Sequence, residues 1–198
     1  MDIPGKLNSD KFIDKGRGVL LLTGIPGCGK TAVGKLLADS LRVPFLDLDS
    51  WVEETTGMKI EEIFAKEGEK FFRGIEIECL KEIIESEGEL VLSLGGGALE
   101  SGEAMPLIRR DGGLLIWLKV EPDIAAERLV EQDALDERPL LKGYAPVELG
   151  DRLRELQDSR WESYLFSDFA VDTDILTLKQ VVERIREILP TRWTSEDK

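Results

Sequence analysis

The stretch Gly18-Val19-Leu20-Leu21-Leu22-Thr23-Gly24-Ile25-Pro26-Gly27-Cys28-Gly29-Lys30-Thr31 decides the fold. Its first half is a near-continuous apolar run, the pattern of a strand covered on both faces. Its second half fits G-x-x-x-x-G-K-[ST], and Val33, Leu36, Leu37 and Leu41 then follow at helical spacing. Strand, glycine loop and helix in that order make a phosphate cradle. The glycines let the backbone curl so that N–H groups point inward at phosphate oxygens. The helix adds its positive end. Lys30 is placed to reach the β- and γ-phosphates, and the Thr31 hydroxyl to ligate Mg²⁺. The expected nucleotide-binding segment is Gly27, Cys28, Gly29, Lys30, Thr31 and Ala32, with Cys28 a small filler rather than a nucleophile.

Outward from this loop, four more apolar runs alternate with amphipathic stretches. They are VPFLDLD from Val43, LVLSLGGG from Leu90, LLIWLKV from Leu114 and DFAVDT from Asp168. Strand–helix alternation over five runs predicts one α/β domain with a mainly parallel sheet. Ligands in such sheets sit at the carboxyl ends of the strands. Three runs carry a signal there: Gly24, Asp47 to Asp49, and Gly95 to Gly97. The domain is expected over residues 17–189. Residues 1–16 read as a loose extension, and 190–198 as a tail after a helix-ending proline.

The 198 residues include no histidine, which removes every mechanism needing an imidazole. Proton transfer then falls to Asp, Glu, Lys, Tyr, Cys or water. With 40 acids against 26 bases the net charge is −14, a poor match to nucleic acid or anionic membranes. Two cysteines, Cys28 and Cys79, are too few for a disulfide framework or a cysteine zinc site. No apolar run reaches the length of a membrane span, and the first residues lack a signal-peptide core, so the cytoplasm is the expected location. A small-molecule substrate and a monomer are expected.

The glycine loop alone means only nucleotide phosphates, since GTPases, motor ATPases and small-molecule kinases share it. No N-K-x-D guanine motif or L-S-G-G-Q signature is present. In a strand, Asp47 and Asp49 point to one side. One could hold a metal-bound water and the other accept a proton from a substrate hydroxyl; the structural alternative is that Asp49 caps the next helix. In the helix expected over about residues 146–164, the stripe Leu149, Leu153, Leu156 continues to Arg160 and Tyr164. Eleven residues at about 100° bring Arg160 within ~20° of Leu149, so this arginine faces inward and needs an anion. In the helix from about Phe72 to Ile84, Glu76 falls on the apolar face and Arg73 can pair with it. The pair is either a structural ion pair or a pinned substrate-binding guanidinium. The Gly95-Gly96-Gly97 run means close backbone approach or a bland turn. In the polar stretch Asp136 to Gly143, Arg138 could close over a transferring phosphate as part of a lid.

Together these residues resemble the shikimate kinase family over roughly residues 18–189. The resemblance rests on the phosphate loop, FLDLD, FFRGIE (Phe71 to Glu76), LSLGGGA (Leu92 to Ala98), ERPLL (Glu137 to Leu141), RWESY (Arg160 to Tyr164) and AVDT (Ala170 to Thr173). It implies a three-layer α/β/α P-loop fold with a five-stranded parallel sheet and a mobile lid, here about 132–144. It implies transfer of the ATP γ-phosphate to the 3-hydroxyl of shikimate, with Mg²⁺. Asp49 would contact the accepting hydroxyl. Arg73, Gly96 and Arg160 would hold the acid, with Gly95 and Gly97 shaping the turn. Lys30 and Arg138 would serve the phosphate. Thr31 would ligate the metal, with Asp47 and Ser93 behind it, and Phe64 and Phe72 would line the pocket. Two departures touch the adenine base: Glu131 stands where an arginine is usual, with Arg128 nearby, and Thr177-Leu178 where a proline usually follows. A kinase for another hydroxy acid such as gluconate, or a non-catalytic nucleotide-binding relative, are the alternatives.

Overall fold

The computed structural model describes residues 18–85, 88–110, 112–131, 141 and 143–194. Strand β1 (Val19–Thr23) lies at the centre. Its side chains alternate, as the pleat requires. Leu20 and Leu22 enter one hydrophobic core, Val19 and Leu21 the other. β2 (Phe45–Asp47), β3 (Leu90–Ser93), β4 (Leu114–Lys119) and β5 (Phe169–Asp172) complete a sheet of order β2-β3-β1-β4-β5. All four pairings are parallel. Parallel neighbours need crossovers, and helices supply them on both faces. α1 (Lys30–Leu41), α6 (Pro122–Glu131), α7 (Leu149–Leu165), α8 (Leu178–Ile188) and α9 (Thr191–Thr194) cover the Leu20–Leu22 face. α2 (Leu48–Thr56), α3 (Ile60–Glu67), α4 (Glu69–Glu85) and α5 (Ala104–Arg110) cover the other. The three-layer α/β/α architecture with five parallel strands is therefore as the sequence leads one to expect. Its geometry puts the carboxyl ends of β1, β2 and β3 along one edge. Among the described residues, no helix is long and apolar enough to cross a membrane.

Two local expectations are corrected. β2 stops at Asp47, so Asp47 and Asp49 are not on one strand. Asp47 itself caps α2, its carboxylate accepting from the Ser50 amide at 3.4 Å, and this places Asp49 in the first helical turn. The packed chain also runs past residue 189. Pro190 follows α8, but Thr191–Thr194 makes one more helical turn and buries Trp193 in the core. A tryptophan is too large an apolar surface to leave in water when a partner is at hand. The partner is Gly18, where a Cβ would stand 2.6 Å from the indole ring.

Candidate active site

The loop after β1 curls through glycines in conformations that a side chain resists: φ is 145° at Gly24, 83° at Gly27 and 93° at Gly29. At Gly27 a Cβ would also lie 2.5 Å from the Ala125 carbonyl oxygen on α6. α1 then opens at Lys30, with Gly29 as its cap. The Lys30 amine donates to the Gly24 carbonyl at 2.8 Å and to that of Ile25 at 3.3 Å, folding it back over the loop. The Thr31 hydroxyl donates to Asp47 Oδ2 at 3.0 Å and ties the loop to the end of β2. Ala32 is exposed in the first turn of α1, and Cys28 is buried, as a filler should be.

The glycine run after β3 lies at the same edge. The Leu94 amide donates to Leu22 of β1 at 2.9 Å, and Ser93 is buried in register with Asp47. Each glycine lies under a charged side chain. A Cβ at Gly95 would lie 2.5 Å from Glu76 Oε1 and 2.6 Å from Asp49 Oδ1. One at Gly96 would lie 3.1 Å from Arg160 Nη1, and one at Gly97 would collide with the Arg73 guanidinium. Three residues of backbone thus gather groups from α2, α4 and α7. Arg73 Nη1 donates to Glu76 Oε2 at 2.8 Å, and its Nη2 to Glu69 at 3.2 Å. Its guanidinium lies 5.2 Å from the Phe72 ring centre, and that ring stands 4.9 Å from Phe64. Arg160 is 2% exposed, facing inward as its place in the stripe requires. Its Nε donates to Glu100 at 2.6 Å, while Nη1 is buried with no protein partner.

A buried donor without an acceptor is costly, and a buried cationic one is more so. The acceptor that Arg160 lacks is therefore a natural complement to this site. The carboxylates behave accordingly. Burial pushes Glu76 up from 4.5 to about 7; Arg73 pulls it back down, while Asp49 and Glu100 add to the rise. Burial alone would lower the Arg73 pKa, but Glu76 outweighs it and the net direction is up. The Tyr164 phenol, stacked on Trp117 at 5.2 Å, is pushed up mainly by burial.

Arg138 and most of the expected lid lie outside the described residues. Glu131 ends α6, and Arg128 on the same helix donates to the Thr173 carbonyl at 2.6 Å and that of Asp174 at 3.2 Å. Arg128 thus anchors the loop after β5. Thr177 caps α8 in a reciprocal box with Gln180, and Leu178 takes the first helical position, where a proline is at home. Sequence reasoning missed Glu100, whose partner is 60 residues away. An open groove of about 980 Å³ on α4, lined by Phe71, Ile75, Cys79 and Glu82, holds none of the expected site residues.

The family model for shikimate kinase matches residues 26–190. The chain belongs to the shikimate kinase family. A shikimate kinase from Moorella thermoacetica is 40% identical over 172 residues, spanning 87% of this chain and 94% of that one. Among solved structures, the shikimate kinase of Bacteroides thetaiotaomicron superposes with a TM-score of 0.77 at 34% identity, covering 87% of this chain and 97% of that one. The Acinetobacter baumannii shikimate kinase in complex with shikimate gives 0.75 at 30% identity, covering 87% and 92%. Family membership agrees with the phosphate loop, the glycine run and the buried arginine found together at one sheet edge.

Proposed function

We propose that the protein transfers the γ-phosphoryl group of ATP to the 3-hydroxyl of shikimate. The observation that carries this reading is Arg160: a buried guanidinium with an unspent Nη1, beside Arg73 and at the sheet edge that bears the phosphate loop. An acid with hydroxyls supplies the missing carboxylate and offers an acceptor oxygen beside Asp49.

In this mechanism Arg73 and Arg160 grip the carboxylate and Gly96 allows the close approach. Asp49 takes the proton of the attacking hydroxyl. The oxygen bonds to the γ-phosphorus, the bond to the β–γ bridging oxygen breaks, and ADP leaves. Lys30 releases the loop carbonyls to meet the phosphates, and Arg138 stabilises the charge on the transferring group. Thr31 and Asp47 offer one hydroxyl and one carboxylate, already 3.0 Å apart. That sparse oxygen set suits Mg²⁺, which keeps waters and phosphate oxygens for its other positions. Held by Thr31 and Asp47, such an ion would neutralise phosphate charge. Coupled ADP release over shikimate, gluconate and other polyol acids tests the reading. Turnover with shikimate is expected; turnover with another acid alone, or tight ATP binding with no transfer, overturns it.

A further inference from the structure

Glu100 has no role in the reaction as described above, yet it stands inside the site. It ends the short 3-10 turn Ala98–Glu100 that follows the glycine run. Its carboxylate accepts from Arg160 Nε at 2.6 Å, and a Cβ at Gly97 would lie 2.8 Å from the same oxygen. Glu100 therefore lies over the turn that both arginines share, and its charge adds, after that of Glu76, to the field that raises the Arg73 pKa. The contact is one-sided. A carboxylate competing with an acid substrate would engage the Nη1 that faces Gly96. Glu100 engages Nε and leaves Nη1 open.

We infer that Glu100 is a positioning residue for acid binding: it holds Arg160 by Nε so that Nη1 is presented at the Gly96 turn. This rests on the shikimate kinase reading. Arginine has many rotamers in water, and a guanidinium already fixed loses less freedom when the acid arrives. Arg73 is held differently, through its terminal nitrogens: Nη1 by Glu76 and Nη2 by Glu69 of its own helix. Each clamp arginine thus has its own carboxylate support, from its own helix for Arg73 and from the glycine turn for Arg160.

The test is steady-state kinetics of Glu100→Ala, Glu100→Gln and Glu100→Asp, with shikimate and ATP varied separately and melting followed alongside. Glu100→Ala is expected to raise the shikimate KM about tenfold, as for loss of a charged hydrogen bond, with the ATP KM close to wild type and melting lowered, because the buried guanidinium loses its acceptor. Glu100→Gln keeps an acceptor for Nε and is expected to restore most of the affinity. Glu100→Asp falls a methylene short and is expected to resemble Glu100→Ala. A lower shikimate KM in Glu100→Ala would mean that the carboxylate competes with substrate, and would overturn the inference. So would unchanged kinetics, or equal losses in both KM values. Should Glu100→Ala not fold, the Gln and Asp variants carry the same contrast. Wild type inactive on shikimate is a separate failure, of the proposed function; the variants are then read on whichever acid it phosphorylates.

Discussion

Arg160 has a buried side chain with one nitrogen held by Glu100 and another left open. Truncating such a group removes the partner proposed for the substrate and leaves Glu100 without its own. Arg160→Ala is expected to cost on the order of 2–5 kcal/mol of acid binding. Kinetics would read this as a shikimate KM raised roughly thirtyfold or more, with the ATP KM little changed. Glu76 makes a different prediction. Its folded pKa of about 7 lies above the ordinary 4.5, chiefly through burial. The native state therefore holds this proton more tightly than the unfolded chain. The stabilisation is full below pH 4.5 and is lost as pH rises through 7. Denaturation of wild type and Glu76→Gln at pH 5 and pH 8 should show wild type losing more stability across that span, on the order of 2 kcal/mol. At this scale legibility followed pattern. Arg160 was readable because it interrupts an apolar stripe, and Glu76 because it sits on one. Glu100 lies in a polar stretch with no period, and its partner comes from a distant helix.

The elements were readable wherever hydrophobic period alone decides. All five apolar runs form strands; β1, β3 and β4 are almost wholly buried, while β2 and β5 are the partly exposed edges, and α1 begins at Lys30 where the glycine loop ends. The start of α2 was not readable. Asp47 and Asp49 are both good caps, and only the local backbone decides between them. That decision has a chemical consequence, because the same Asp47 carboxylate also receives the Thr31 hydroxyl. The phosphate loop is the element most exposed to small changes. Gly27 combines a left-handed backbone with a Cβ direction blocked by the Ala125 carbonyl. Gly27→Ala is expected to push the loop away from α6 and to weaken binding of a fluorescent ATP analogue by at least about tenfold, a loss of ~1.4 kcal/mol, while far-ultraviolet circular dichroism stays that of the wild type.

For the molecule as a whole, both cores pack on the central sheet, and Trp193 extends one of them beyond α8. Trp193→Ala is expected to destabilise the protein by ~3–5 kcal/mol, readable as a lower denaturation midpoint. The sequence did not announce this, because a proline followed by polar residues looks like a chain leaving the fold. Burial of that indole against Gly18 also means that the first and last described segments touch. The order in which the chain is threaded is then separable from the shape it takes. A circular permutant joining Thr194 to Gly18 through a short flexible tether, and opened at Gly112, is expected to fold. Gly112 precedes β4, at the sheet end away from the phosphate loop, where a Cβ would meet nothing within 4 Å. In such a permutant the phosphate loop would lie close behind the tether, and the nucleotide cradle would move from the first described segment to the middle of the chain without moving in space.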